Sequence, residues 1–248
     1  TDHAVPNAGG NGSPITCSNA RSLNMFPCLS GTPQGGGSWF AGAPNGSPHA
    51  ATYDPVMDNP GDFYYKVNGM PPCASAFAKV TVTEVQAPWA GNDANTTVCS
   101  NGAPFSMTAL LTGDPNAGGT WYFNNQNHGD LFVPGQDVQG VYEYRVTGQA
   151  PCTPDAAFLT VSVNTAANAG CSGSITVCDN ALPFVLYNVL TCNTQSNGTW
   201  LGPDLMPHTG TYQPGVSQVG DYLYIVQGDA QCASDTSVVT VFETPAAN

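Results

Sequence analysis

Hydrophobic and polar residues alternate along two stretches that recur three times in the chain. The first set of stretches lies at residues 63–67, 141–146 and 222–226, and the second set at 77–82, 158–163 and 238–242. Alternation with a period of two is the pattern of a strand with one buried face. We therefore predict three units, each ending in two strands that form a hairpin.

Shorter strands are predicted before each hairpin. In the middle unit, one strand ends at Cys99, one covers residues 105–111 and one carries Trp121. About seven short strands in roughly 80 residues, with a tryptophan on the third, are typical of an immunoglobulin-like sandwich. Two units also match the tyrosine corner of that fold, and the first unit has phenylalanine there. We expect six aromatic side chains in the cores: Trp39, Trp121, Trp200, Phe63, Tyr142 and Tyr222.

Fixed spacings show that the three units are copies of one repeat. The first cysteine precedes the tryptophan by 22 positions in each unit, at Cys17, Cys99 and Cys178. A histidine, a proline, a glycine and a second cysteine then follow at steps of 6, 6 and 12. The sequence predicts an all-β chain of three tandem immunoglobulin-like β-sandwich domains in an extended array, with boundaries at 1–87, 88–167 and 168–248.

The two ends of the chain resemble parts of the linkers between units. Residues 243–248 are similar to the start of the linker at 165–170, and residues 6–9 are similar to its end. We therefore expect the array to continue beyond one or both ends of this sequence.

The repeat-matched cysteines are expected to form one disulfide in each unit. The expected pairs are Cys17 with Cys73, Cys99 with Cys152, and Cys178 with Cys232. Each would close a loop of roughly 55 residues, for which the chain-entropy model gives about 4 kcal/mol. We pair Cys171 with Cys192, and we expect Cys28 to be a buried free thiol because it aligns with the apolar Leu110 and Val189. Disulfides indicate an oxidising, extracellular location.

Composition supports the fold class, excludes nucleic acid as a partner and predicts no membrane span. Only 8% of residues are charged, and the chain contains 28 Gly and 21 Pro, as short strands and tight turns require. Four Lys and Arg stand against 17 Asp and Glu, so the formal net charge of −13 repels phosphate backbones and excludes nucleic acid as a partner. No apolar run reaches the roughly 20 residues of a membrane span.

Catalytic and metal chemistry is not predicted. The repeat-matched histidines are His49, His128 and His208, and a catalytic residue is rarely needed three times in one array. We expect these rings to pack or hydrogen-bond at the entry to the next strand, with a repeated metal or subunit contact as the alternative. Asp93, Asp114, Asp130 and Asp137 are interpreted as turn residues, with calcium as the alternative, because no DxDxDG pattern occurs. We predict no enzyme and no cofactor.

One segment of the repeat changes length between units. The interval from tryptophan to histidine is 10, 7 and 8 positions in the three units. A glycan, if these domains bind one, is expected to be recognised there, in a loop that begins at Phe40, Tyr122 or Leu201. Four Asn-x-Ser/Thr sequences would accept glycans only in a eukaryotic secretory pathway. They begin at Asn11, Asn45, Asn95 and Asn197.

The middle unit resembles a known family of repeats. Residues 97–105 (TVCSNGAPF), 118–121 (GGTW) and 140–146 (GVYEYRV), followed by Cys152 and a valine-rich strand, are similar to the Ig-like or PKD-like tandem repeats of large surface proteins of Bacteroidota. Such repeats occur in gliding-motility adhesins and in proteins exported by type IX secretion. The resemblance implies a stalk or secreted filament at the cell surface, whose partners are neighbouring repeats or like subunits. Glycan-binding adhesin repeats and spacer domains of a secreted enzyme are the alternatives.

Overall fold

The computed structural model describes residues 4–247, which form three tandem immunoglobulin-like domains with seven strands in each repeat. The first repeat contains β1 (Ile15–Cys17), β2 (Leu23–Asn24), β3 (Ser38–Ala41), β4 (Ser47–His49), β5 (Thr52–Tyr53), β6 (Gly61–Val67) and β7 (Ala76–Val85). The second contains β8 (Ala94–Cys99), β9 (Phe105–Ser106), β10 (Thr120–Phe123), β11 (Gln126–His128), β12 (Leu131–Phe132), β13 (Gly140–Val146) and β14 (Asp155–Asn164). The third contains β15 (Gly173–Cys178), β16 (Phe184–Val185), β17 (Thr199–Leu201), β18 (Pro207–His208), β19 (Thr211–Tyr212), β20 (Gly220–Val226) and β21 (Asp235–Thr244). The predicted all-β tandem fold is confirmed.

The second strand of each repeat is shorter than the sequence predicts. A one-turn 3-10 helix follows it in each repeat, at Phe26–Cys28, Thr108–Leu110 and Leu186–Val189. In the middle repeat the Asp130 carboxylate accepts hydrogen bonds from the Ser106 hydroxyl (2.5 Å) and the Thr108 backbone N–H (2.8 Å). These bonds turn the chain out of the strand, so the predicted strand at 105–111 is wrong beyond Ser106. No helix within residues 4–247 has the length and apolar character needed to cross a membrane.

The first and third repeats share one sheet topology. The larger sheet has the order β1-β7-β6-β3-β4 in the first repeat and β15-β21-β20-β17-β18 in the third. The smaller sheet pairs β2 with β5 and β16 with β19. By contact density the chain divides into two compact units, residues 1–93, 111–128 and 143–158, and residues 94–110, 129–142 and 159–248. The middle repeat contributes residues to both units.

Strand direction differs between the two neighbours of each long last strand. The sixth strand pairs with it in antiparallel register, so the predicted hairpins are present in the first and third repeats. The first strand pairs with it in parallel register. The first cysteine of each repeat therefore lies opposite the end of the last strand: Cys17 opposite Val85, Cys99 opposite Asn164, and Cys178 opposite Thr244.

The six predicted core aromatics are all buried. The tryptophans expose 5%, 2% and 8% of their surface at Trp39, Trp121 and Trp200, and Phe63, Tyr142 and Tyr222 expose 3% or less. The Tyr142 hydroxyl donates to the Val138 carbonyl at 2.6 Å, and the Tyr222 hydroxyl donates to Gln218 at 2.6 Å. This bond completes the tyrosine corner in two repeats, and Phe63 leaves it unmade in the first.

Each repeat has a second buried tyrosine, which explains why a glycine lies two residues before the core tryptophan. Tyr144 packs against Trp121 with ring centroids 5.1 Å apart, and its hydroxyl accepts from the Gly119 N–H (3.0 Å) and donates to the Asn116 carbonyl (2.9 Å). A Cβ on Gly119 would collide with this ring. The equivalent groups in the other repeats are Tyr65 with Gly37 and Gln34, and Tyr224 with Gly198 and Gln195.

Candidate functional site

Two disulfides join neighbouring repeats, and the predicted pairing of the repeat-matched cysteines within each repeat is wrong. Cys17 is bonded to Cys152 (1.98 Å) and Cys99 is bonded to Cys232 (2.05 Å). Each links the end of a first strand to the next repeat's FG turn, our name for the turn between the sixth and seventh strands at residues 68–75, 147–154 and 227–234. We call Cys17–Cys152 and Cys99–Cys232 the junction disulfides.

Strand geometry explains why the pairing within a repeat fails. Cys73 precedes the start of β7, whereas the parallel register places Cys17 opposite Val85 at its other end. A strand of 10 residues is about 33 Å long, and a disulfide needs Cα atoms within about 7 Å. Cys99 and Cys152 are separated in the same way by β14, and Cys178 and Cys232 by β21.

The linker residues that follow the last strand are held by the residue after the bonded cysteine. The Ser18 N–H donates to the Val85 carbonyl (2.9 Å), and the Ser18 hydroxyl accepts from the Ala87 N–H (2.9 Å). Ser100 makes the same two bonds, with Asn164 (2.9 Å) and Ala166 (2.9 Å). The junction is therefore built in the same way twice, with a covalent bond beside a hydrogen-bonded linker.

The other cysteines differ from one another in state. Cys171 and Cys192, the pair assigned from the sequence, are bonded at 2.03 Å. Cys28 is a free thiol, but it is half-buried rather than fully buried, and its partial burial raises the pKa of the thiol. Cys73 and Cys178, both expected in disulfides, are free, with Cys73 half-buried and Cys178 exposed.

The segment of variable length is the hairpin between the third and fourth strands, which we call the variable hairpin. In each repeat the tryptophan and the histidine face each other across it: Trp39 with His49, Trp121 with His128, and Trp200 with His208. In the middle repeat the hairpin closes through Asn124 and Asn125, whose φ angles of 49° and 61° favour asparagine or glycine.

The residues that begin the variable hairpins present different chemistry in the three repeats. Phe40, Tyr122 and Leu201 are all half-buried. The Lys66 Nζ lies 6.0 Å from the Phe40 ring centroid, and the Arg145 guanidinium carbon lies 4.6 Å from that of Tyr122. Leu201 instead lies opposite Leu223 on the neighbouring strand. The three repeats therefore share no aromatic stacking surface at this place.

Structural contacts within the fold are made by His49, His208, Asp93 and Asp137. His49 lies 3.1 Å from the Asp58 carboxylate, whose pKa is lowered first by a hydrogen bond from the Asp54 N–H and then by His49. His208 accepts from the Gly210 N–H (3.0 Å). Asp93 and Asp137 accept from backbone N–H groups at 2.8 and 2.6 Å. No group of three or more His, Cys, Asp or Glu residues suited to a metal ion occurs between residues 4 and 247.

The fold is similar to that of other tandem immunoglobulin domains. No family model and no curated protein matches the chain. A three-domain I-band fragment of titin superimposes with a TM-score of 0.51 at 10% identity, covering 98% of this chain and 100% of the fragment. The insect immune protein hemolin superimposes with a TM-score of 0.43 at 10% identity, covering 95% of this chain and 75% of hemolin. At 10% identity, the titin likeness shows the fold alone.

Proposed function

We propose that the chain is a non-enzymatic structural segment of an extracellular adhesin stalk or filament, built from immunoglobulin-like repeats joined by disulfides. The observation that carries the proposal is the pair of junction disulfides, which use repeat-matched cysteines to join each repeat to the next. The domain boundaries that we propose are 1–87, 88–167 and 168–248.

The position of the disulfides supports a role in transmitting force or maintaining reach. A disulfide inside one repeat would stabilise only that repeat, whereas a junction disulfide limits the motion of the linker between two repeats. The linkers are short and are also hydrogen-bonded to Ser18 and Ser100. Both disulfides need an oxidising compartment, which supports a location at the cell surface or in a secreted filament.

Immunogold electron microscopy of the native source material tests this function. An antibody against the purified chain should label extended surface fibres at regular intervals. Labelling of compact secreted particles would contradict the proposal. Recovery of the complete reading frame provides a second test, because a hydrolase domain in the same polypeptide would favour a spacer in an enzyme, and further repeats would favour a stalk.

Glycan binding by the variable hairpins is the second candidate. Its support is the half-buried rings of Phe40 and Tyr122, since aromatic faces stack on sugars. The cations near both rings and the leucine of the third repeat argue against a stacking site shared by the repeats. A glycan array compares the chain with a variant in which residues 122–127 are replaced by 201–207. Binding that disappears with this exchange would support recognition there, and absence of binding to every glycan would exclude it.

A further inference from the structure

The two repeat-matched cysteines that remain free are complementary halves of one more junction disulfide. Cys178 ends the first strand of the third repeat, as bonded Cys17 and Cys99 do in theirs. Cys73 lies in the FG turn of the first repeat, as bonded Cys152 and Cys232 do in theirs. One chain therefore offers both partners of a bond that it makes twice internally.

The backbone around Cys178 has the geometry of the two bonded positions. The residue after the cysteine donates its N–H to the end of the last strand, at 2.9, 2.9 and 3.0 Å for Ser18, Ser100 and Asp179. The carbonyl of the cysteine accepts from the residue three positions later, at 2.9, 2.9 and 3.0 Å for Ala20, Gly102 and Ala181. The backbone around Cys178 therefore makes the hydrogen bonds of the bonded positions without a disulfide partner.

The linker segment beside Cys178 is also held as it is at the two junctions. The Asp179 carboxylate accepts from the Ala246 N–H at 3.0 Å, where the hydroxyls of Ser18 and Ser100 accept from Ala87 and Ala166 at 2.9 Å. A different side chain thus makes the same contact. This contact does not involve the cysteine. It indicates that the third repeat can supply the first-strand cysteine of a further junction.

The FG turn that carries Cys73 has the shape of the two bonded turns. The cysteine N–H donates to the carbonyl three positions earlier, from Cys73 to Met70 (2.7 Å), from Cys152 to Gln149 (2.9 Å) and from Cys232 to Asp229 (2.8 Å). Cys178 differs from its bonded equivalents in exposure. Cys17 and Cys99 expose 4% and 7% of their surface, whereas Cys178 is exposed.

We propose that a second copy of this chain docks its first repeat against the third repeat and forms a disulfide between its Cys73 and Cys178. The contact joins two different surfaces, so it repeats from copy to copy and builds an open filament when the rotation between copies does not close a ring. This inference rests on the proposed stalk function and names its subunit contact; a reading frame whose further repeats supply the disulfide partners of Cys73 and Cys178 would overturn it. A second copy is favoured because the chain carries both halves of the bond, each with the backbone hydrogen bonds of its bonded equivalents.

The covalent step needs an oxidant, for which a small disulfide such as oxidised glutathione is sufficient. The Cys73 thiolate attacks this disulfide and forms a mixed disulfide, releasing one glutathione thiolate. The Cys178 thiolate then attacks the Cys73 sulfur and releases the second. Two protein thiols are thereby oxidised to one disulfide, and one glutathione disulfide is reduced to two thiols.

Cross-linking in a glutathione redox buffer tests the contact with the 248-residue chain, with Cys28→Ser as the common background to remove the third thiol. Moderate salt screens the net charge of −13 on each copy. The background chain should give a ladder of dimers, trimers and larger species on a non-reducing gel. Additional Cys73→Ser or Cys178→Ser should each abolish the ladder, and an equimolar mixture of these two variants should stop at a dimer. The mixture should yield at least about tenfold more dimer than either variant alone, because docking raises the effective concentration of the thiols.

Peptide mapping of the dimer should identify the Cys73–Cys178 bond. The inference would be overturned if either single variant cross-linked as well as the mixture, or if the mixture gave no dimer. A Cys73–Cys73 bond in the dimer would also overturn it. Asp179→Ala should lower the dimer yield and Asp179→Ser should restore it, which distinguishes docking from thiol reactivity. If the junction disulfides are mapped but no cross-link forms, the inference fails and the stalk proposal stands. If mapping finds the disulfides within single repeats, the stalk proposal fails as well.

Discussion

The hydroxyl of Tyr144 accepts a hydrogen bond of 3.0 Å from the backbone N–H of Gly119, two residues before the buried Trp121. The same contact occurs between Tyr65 and Gly37 and between Tyr224 and Gly198, at 2.8 Å in both cases. Each tyrosine ring also packs against the core tryptophan of its repeat. The recurrent glycine-tryptophan sequence is therefore part of the core, and the glycine makes room for the tyrosine ring.

Replacement of Gly119 by alanine should destabilise the protein by about 2 kcal/mol, because the new Cβ collides with the Tyr144 ring and overpacks the core. Gly118 is the matched control: it has a φ of 85° and open space around it. Asparagine adopts such angles more readily than other side chains, so Gly118→Asn should cost about 1 kcal/mol or less. Urea unfolding followed by tryptophan fluorescence measures both. Equal losses of stability in the two variants would show that the Tyr144 ring is not the reason for a glycine at position 119.

The tyrosine corner gives a prediction with an internal comparison. Tyr222→Phe removes the bond to the Gln218 carbonyl and should cost about 1 kcal/mol. The first repeat already has Phe63 at this position, so Phe63→Tyr introduces a hydroxyl at the equivalent place beside Asn59. We expect Phe63→Tyr to leave the melting temperature unchanged or to raise it. Calorimetry of the two variants checks this, and a loss from Phe63→Tyr as large as that from Tyr222→Phe would contradict it.

The sequence predicts the core because the responsible signals are local. Alternation identifies the long strands, and the fixed spacing from Cys99 to Trp121 places the tryptophan on the third strand. Burial of the six aromatics follows from the strand pattern. Tyr144 also has equivalents in all three repeats, at Tyr65 and Tyr224, but its contact with Gly119 depends on how two distant strands pair. That contact could not be derived from periodicity.

The disulfide pairing could not be derived from the cysteine spacing. The spacing of the repeat is compatible with Cys17 paired with Cys73 or with Cys152, because both choices join a first-strand cysteine to an FG-turn cysteine. The parallel register between β1 and β7 decides between them, since it separates Cys17 from Cys73 by the length of a strand. This register is a tertiary feature.

Buried tyrosines should make the fold sensitive to alkali. Burial, and next the charge of Asp137, raises the pKa of Tyr142 to about 12, above the usual value near 10. Burial also raises the pKa of Tyr53, Tyr212 and Tyr222. Between pH 10 and 12 the unfolded chain releases these protons and the folded chain retains them, so stability is present below pH 10 and falls as the pH rises.

Urea midpoints at pH 8, 10 and 11.5 measure this loss. Tyr142→Phe should lower the midpoint at pH 8, through the missing bond to Val138, but should reduce the further loss between pH 10 and 11.5. A variant and a parent chain with the same alkaline loss would show that Tyr142 ionises equally in both states.

Force spectroscopy of the oxidised chain, held at its two ends, distinguishes junction disulfides from disulfides within repeats. With both junction disulfides intact, the shortest covalent path between the ends follows roughly 85 residues and extends to about 300 Å. Cys152→Ser breaks Cys17–Cys152 and should lengthen this contour by roughly 100 Å. Cys73→Ser is the matched control, since Cys73 also lies in an FG turn but is free, and it should leave the contour unchanged. Had Cys73 been bonded to Cys17, Cys73→Ser would lengthen the contour by roughly 190 Å, so a gain of that size would refute the junction pairing.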